Sequence, residues 1–325
     1  MSHVLTSSEI EKRTSLTSSN QFELLLFRLA RAVDEDAGEL YGINVFKVRE
    51  ITMMPSIVPL AGGHPNLLGM SDIRGQIIPV IDLATAVGIK RPAGGARTLI
   101  ITEYSRSTQG FAVEKVDDIV RLDWRHVLSA ESYMGGKTIT SIARLDGDAE
   151  DTRLAQVVDV EQVLRDVLPI TAQDVDSDRI STQVKLPPGA RLLAADDSAL
   201  ARNLLTQIFT ALDVPFDLVK SGQEAWDMLK AIAAKAKEQG KACSDLVPLV
   251  VSDLEMPEMD GFTLTRKIKS DQALSSIKVV IHSSLTGANN EQHVQKAGAD
   301  AYVAKFVADE LAQTILKLLP TAQRR

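Results

Sequence analysis

Six positions in the C-terminal half carry the residue types that phosphoryl chemistry needs. Asp196 and Asp197 follow one apolar run, Asp253 follows another, Ser283 and Ser284 close a third, and Lys305 closes a fourth. If those runs are strands of one parallel sheet, all of these residues collect at its carboxyl edge, where ligands of such sheets bind. Three carboxylates brought together repel one another, and a hard cation between them resolves the repulsion. Mg2+ is the natural candidate, because it binds through a few carboxylates, water and a phosphoryl oxygen. A carboxylate is also a nucleophile toward phosphorus and forms an acyl phosphate. Asp253 is central in the set. Lys305 would supply a second positive charge, and the Ser283 hydroxyl could hydrogen-bond the phosphoryl group once formed.

The elements that must position these residues are legible in the apolar rhythm. RLLAA, FDLVK, LVPLVV, KVVIH and AYVAK alternate with amphipathic stretches near 200–212, 222–238, 261–269, 289–297 and 308–319. That is five β-α units, the pattern of a doubly wound (βα)5 domain over residues 190–325. Upstream, PITAQDVDSDRISTQVKLPP is polar and proline-flanked, and residues 171–189 are expected to be a linker. Residues 21–170 have a different rhythm of short strands divided by Gly, Pro and polar turns. FELLLFRL and LYGINVFKVREI read as a hairpin across the charged loop Asp34 to Glu39, and QIIPVI, TLIIT, GFAV, VDDIVRL and LAQVVDV as further strands. Brief helices such as one near Leu67 are expected among them, in an all-β fold of barrel type.

Each residue also has a plain role. An Asp pair at a strand end often only caps the next helix, and Ser198 or Asp197 alone could do so here. Lys305 alone fits a solvated lysine, Ser283 a satisfied strand-end hydroxyl, and DLEMPEMDG a turn. The ordered set at successive strand ends is what favours chemistry over these. Before residue 170 no nucleophile, metal or phosphate motif occurs. Gly62-Gly63 and Gly94-Gly95 lack the context of a phosphate loop, and His3, His64 and His126 are scattered. That half reads as a binding surface, with Ile43, Val45, Ile78, Val80 and Ile81 expected in its core.

Composition narrows the rest. With 325 residues, 45% hydrophobic and 24% charged, the chain suits two ordinary globular domains. A formal net charge of -7 gives no footprint for nucleic acid. The single cysteine, Cys243, excludes an intrachain disulfide and a zinc cluster and suits a reducing cytoplasm. Residues 1–20 form a polar N-terminal extension without the apolar core of an export signal, and no apolar run is long enough to insert in a membrane.

The segment from about Arg191 to Leu319 resembles a response-regulator receiver domain in LLAADDSALARNLL, VVSDLEMPEMDGF, KVVIHSSL and AGADAYVAKF. The resemblance implies that Asp253 is the phosphoacceptor and that Asp196, Asp197, Asp253 and the backbone carbonyl of Glu255 hold Mg2+. It further implies that Ser283 and Lys305 contact the phosphoryl group and that the rotamer of Tyr302 reports activation. Tyr302 equally fits a half-buried strand aromatic. Phe306 stands after Lys305 where the family usually has proline, and the Glu255 side chain bears on how long an acyl phosphate survives. KAKEQGKACSDLVP, longer than a minimal connection, is expected to extend a helix and a loop.

Gln21 to about Val167 is similar to CheW-type chemotaxis adaptor domains in YGINVFKVREI, PNLLGMSDIRGQIIPVIDLATAVG, GFAVEKVDDIVRL and QVVDVEQVL. That implies two linked SH3-like β-barrels bridging chemoreceptors to the histidine kinase CheA without catalysis of their own. Arg74 and Gly75 of the IRG motif would lie at the receptor-contacting groove; Arg74 equally fits a salt bridge to Asp72 or another carboxylate. A CheW-type domain followed by a receiver is the CheV arrangement. The expectation is a cytoplasmic coupling protein, recruited to membrane-associated receptor arrays and biased by phosphorylation of Asp253. With no segment after the last expected helix, a helix-turn-helix output is not expected. Two alternatives stay open. One is a phosphate sink that drains the kinase, with the adaptor half only localising it. The other is a phosphatase of the haloacid-dehalogenase type, disfavoured because no second Asp stands two residues after Asp253.

Overall fold

A computed structural model of the chain describes residues 21–29, 39–90, 95–104, 107–129, 138–168, 182–284, 294–305 and 307–323. The N-terminal extension, residues 34–38 of the charged loop, most of the 289–297 stretch and Phe306 lie outside them. The chain divides into two compact units, 1–171 and 172–325.

The first unit is built of two sheets. Strands β1 (Gln21–Arg28), β2 (Leu40–Asn44), β8 (Lys115–Asp123), β9 (Val127–Ser129), β10 (Ile139–Arg144) and β11 (Leu154–Val158) form one, in the order β8-β1-β2-β11-β10-β9. Strands β3 (Val48–Met53), β4 (Leu67–Ile73), β5 (Gln76–Asp82), β6 (Thr98–Tyr104) and β7 (Ser107–Val113) form the other, in the order β3-β6-β7-β5-β4. Each buries its own apolar face. Phe22, Leu24, Leu26, Leu122 and Val157 pack in the first, and Ile78, Val80, Leu99 and Ile101 in the second. Ile43, Val45 and Ile81 are buried as expected. Helices are brief: α1 (Leu83–Ala86), capped by the Asp82 side chain, and α2 (Val160–Val167), capped by Asp159.

Two expectations need correction. The stretch LYGINVFKVREI is not one strand. Asn44 accepts a hydrogen bond from the Phe46 amide and caps a 3-10 turn at Val45–Lys47, which sends β2 and β3 into different sheets. The region near Leu67 is strand β4, paired antiparallel with β5 from Leu67↔Ile81 to Ile73↔Gln76, rather than a helix.

The second unit has five parallel strands, β13 (Leu192–Ala195), β14 (Phe216–Val219), β15 (Leu249–Ser252), β16 (Lys278–Ser283) and β17 (Ala301–Ala304), in the order β14-β13-β15-β16-β17. Around them run α3 (Ala199–Ala211), α4 (Gly222–Glu238), α5 (Gly261–Ser270) and α6 (Ala308–Leu318). Strands β13 and β15 are buried throughout, as a central parallel strand with helices on both faces must be. Cys243 is buried in a 3-10 turn between α4 and β15. A ribbon goes beyond the expected fold: β12 (Thr182–Val184), inside the stretch read as linker, pairs antiparallel with β18 (Thr321–Gln323) after α6.

Candidate functional site

The order of the five strands reverses direction beside β13, so the crevice at the carboxyl ends of β13, β15 and β17 is where three acidic side chains and a lysine meet. Carboxylate oxygens of Asp196, Asp197 and Asp253 all lie within 4.8 Å of one another, Asp196 and Asp253 buried and Asp197 exposed. The Lys305 ammonium lies between the buried pair, 2.8 Å from Asp196 Oδ2 and 2.8 Å from Asp253 Oδ2. All three of these side chains are at most 6% exposed. The lysine is therefore no solvated surface cation.

Local sequence explains the placement. Ser198, not Asp197, caps α3, accepting from the Ala201 amide, while Asp196 Oδ1 accepts from the Ser198 amide at 2.9 Å. The Arg202 guanidinium, one turn into α3, donates at 2.7 Å to the main-chain carbonyls of both Asp196 and Asp197. Asp253 is tied to β13 through its amide, which donates to the Ala195 carbonyl, and its Oδ1 accepts from the Leu254 amide at 2.7 Å. The Lys305 amide donates to the Ser283 carbonyl at 2.8 Å, which fixes the lysine beside the end of β16.

Burial pushes the Asp253 carboxyl well above the usual carboxylate range; the Lys305 ammonium pulls it down, and Asp196 and Asp197 push it further up. One ammonium against three carboxylates leaves the pocket short of positive charge. The donor set, hard oxygens with one of the carboxylates open to water, fits a divalent cation of the Mg2+ type.

The other expected residues fall around this centre. Ser283 is fully buried at the end of β16, and Ser284 beside it is buried. Glu255 is half-buried on the loop after β15, and its side chain is not one of the three clustered carboxylates. Tyr302 is half-buried on the edge strand β17, opposite Ile281. Arg74 and Gly75 lie in the other unit. They form the β4–β5 turn with φ of 53° and 87°, and the Gly75 amide donates to Asp72 Oδ1 at 2.7 Å. Arg74 pairs with Glu50 at 2.9 Å rather than with Asp72, and its side chain stays 73% exposed. Ile77, Met53 and Val58 of the same sheet region are also exposed.

Two features of the site escape sequence reasoning. Arg202 is one, although an Arg six residues after an acidic pair on a predicted helix could have suggested it. His282 is the other: fully buried on β16 opposite Val303, with neither ring nitrogen hydrogen-bonded among the described residues. Burial, with a smaller push from the Lys305 charge, holds its pKa down at about 3.

Residues 23–168 match the CheW-like domain family, and residues 192–317 match the response regulator receiver domain family. Chemotaxis protein CheV3 of Helicobacter pylori is 28% identical over 320 residues, covering 95% of this chain and 98% of the relative. Chemotaxis protein CheV2 of the same organism is 29% identical over 328 residues, covering 96% and 99%. Among solved structures, the scaffolding protein TtCheW of Thermoanaerobacter tengcongensis is 26% identical over 42% of this chain and 88% of its own, with a TM-score of 0.36. The signal receiver domain of a histidine kinase from Syntrophus aciditrophicus is 26% identical over 40% and 89%, with a TM-score of 0.34. With the two domain families in this order, and CheV proteins aligned along nearly its whole length, the chain belongs to the CheV family of chemotaxis proteins.

Proposed function

We propose that this protein couples chemoreceptors to the histidine kinase CheA through residues 21–170, and that phosphorylation of Asp253 in residues 190–325 biases that coupling. The observation that carries the proposal is the Lys305 ammonium held between Asp196 and Asp253 in a three-carboxylate pocket, on a chain whose other half is CheW-like. In the transfer, a carboxylate oxygen of Asp253 attacks phosphorus in line, forming the P–O bond as the bond to the donor's imidazole nitrogen breaks. Mg2+, held by Asp196, Asp197, Asp253 and the Glu255 carbonyl, would neutralise the transferring oxygens. Lys305 moves its ion pair from the Asp253 carboxylate to the phosphoryl group, and the Ser283 hydroxyl donates to a second phosphoryl oxygen. Tyr302 and α6, on and after the edge strand, are the elements that change with the state of the pocket. Arg74, exposed at its turn beside the exposed Ile77, is the side chain assigned to partner contact, and recruitment to membrane-associated arrays follows from it.

Phosphotransfer from 32P-labelled CheA in Mg2+, with wild type beside Asp253→Asn and followed over time, tests this. Label that requires Asp253 and persists while kinase output changes supports the switch. Label that requires Asp253 but decays rapidly without changing kinase output makes the protein a phosphate sink instead. Equal labelling of Asp253→Asn overturns the phosphoacceptor assignment.

A further inference from the structure

The loop after β15 carries Asp253 at one end and Asp260, which caps α5 by accepting from the Thr263 amide at 2.6 Å, at the other. Between them the chain is seated closely at two places. Gly261 lies so near the start of the loop that an added Cβ would stand 2.1 Å from the Asp253 carbonyl oxygen, and its amide donates to the Leu254 carbonyl at 2.9 Å. Gly222, the first residue of α4, has room for no side chain either: a Cβ there would stand 2.2 Å from the Met259 carbonyl oxygen. The loop's outer turn therefore rests on the N-terminus of α4.

At that contact Glu258 has φ of 67°, the left-handed region, where residues with a Cβ are disfavoured. Gly or Asn would hold this backbone with less strain. A glutamate held there needs a compensating side-chain contact, and the structure supplies one. Ser221 Oγ, buried at the N-cap of α4, donates to Glu258 Oε2 at 3.1 Å. The same hydroxyl oxygen accepts from the Glu224 amide at 3.1 Å, so one group both caps the helix and holds the loop.

We infer that the Ser221–Glu258 pair is a positioning device for the Asp253 loop: it holds Glu258 in its left-handed conformation against α4 and so fixes the loop main chain next to the acid pocket. Residues 254–260 include the Glu255 carbonyl assigned to the cation, so releasing the latch lets that carbonyl move. The inference rests on the phosphoacceptor reading for its meaning, but the latch itself is testable apart from it.

The test separates capping from latching. Ser221→Asp keeps an oxygen to cap α4 but cannot donate to Glu258; Ser221→Thr keeps both functions. Glu258→Gly removes the latch together with the strain that makes it necessary, since Gly holds the left-handed backbone unaided. In the full-length protein, Ser221→Asp is expected to speed amide hydrogen exchange in residues 254–261 and to weaken Mg2+ binding about five-fold by calorimetry, the factor one weak hydrogen bond supplies. Ser221→Thr and Glu258→Gly stay within about two-fold of wild type on that same scale, and Ser221→Asp in the Glu258→Gly background adds nothing further. Unchanged exchange and affinity in Ser221→Asp, or an equal loss on either background, overturns the inference. Mg2+ binding that is indifferent to Asp253→Asn would instead count against the phosphoacceptor reading, while the exchange data would still decide the latch.

Discussion

His282 should make the receiver half acid-sensitive in a way that one substitution removes. In the folded protein its pKa is held down at about 3, against an ordinary 6.5, by burial and by the Lys305 charge. The folded state thus favours the neutral ring, while the unfolded chain binds a proton near pH 6.5. The contribution to stability is fully present above that value and is lost as pH falls toward 3. The whole span corresponds to about 5 kcal/mol, of which about 1 kcal/mol is lost between pH 7.5 and pH 5.5. His282→Val keeps a β-branched apolar residue on a buried strand and removes two ring nitrogens that have no hydrogen-bond partner. An unpaired buried polar group costs about 1–3 kcal/mol, so the variant should be more stable than the parent by that order at pH 7.5. The chain has two tryptophans, Trp124 in the first unit and Trp226 in the second. In a Trp124→Phe background, Trp226 fluorescence in urea therefore follows the receiver half alone, which avoids the mixed transitions of a two-domain chain. With a chelator present, the stability gap between variant and parent should widen by about 1 kcal/mol from pH 7.5 to pH 5.5. A gap that stays constant over that range, or a variant less stable than its parent at pH 7.5, would refute the reasoning.

Other perturbations read other parts of the molecule. Lys305→Met leaves Asp196 and Asp253 buried without their shared ammonium; in chelator it should destabilise the receiver half by about 3–5 kcal/mol, with part of the loss recovered on adding Mg2+, by the same urea assay. The same variant should slow phosphotransfer by about 100-fold, since it removes the fixed positive charge aimed at the phosphoryl group. Gly261→Ala drives a Cβ to 2.1 Å from the Asp253 carbonyl oxygen, so stability should fall by about 1–3 kcal/mol or more and labelling of Asp253 should be lost together with it. Arg74→Ala removes the exposed partner of Glu50, whose own side chain is only 7% exposed, so stability of the first unit should fall by about 1–3 kcal/mol while transfer to Asp253 does not change. Co-sedimentation with receptor and kinase assemblies should nonetheless fall.

The acid pocket was legible because its residues stand at the ends of continuous apolar runs, and parallel order follows once helices alternate with strands. Ser221, Glu258 and His282 were not. A serine before GQEAW is an ordinary N-cap in sequence, and only the approach of a loop more than thirty residues away turns its hydroxyl into a donor for Glu258. A histidine closing KVVIH is compatible with an exposed strand end until the helices cover that face. In the first half, LLGMSDI suits a short helix or a strand equally by its apolar spacing, and pairing with QIIPVID decides for the strand. LYGINVFKVREI reads as continuous because the turn that divides it is made of Val45, Phe46 and Lys47, with Asn44 as the lone local signal. Ribbon β12–β18 joins two short segments at opposite ends of the second unit, and no local pattern announces such a pairing.

Several departures from local rules in the second unit gather at one edge of its sheet. Three clustered carboxylates with one ammonium, an unpaired buried imidazole on the strand that ends at Ser283, and a glutamate in left-handed conformation all lie at or near the carboxyl ends of β13, β15, β16 and β17. Elsewhere in the unit Asp213 also stands in the left-handed region, with φ of 55°, and α6 lacks a side-chain cap, but helices α3, α4 and α5 are each capped by a side chain, and β13, β15, β16 and β17 share with α3 and α6 one apolar core running from Leu192 through Phe209 and Val251 to Ile315. Stability built in that core is what tolerates the strain at the edge. A pocket with its charges fully satisfied would hold its carboxylates and lysine in a single arrangement with no use for an incoming cation or phosphoryl group. Lys305 shows the balance most directly. It pulls the buried Asp253 carboxyl toward its ionised form, and because it is shared with Asp196 it leaves negative charge in the pocket that a further positive group would settle.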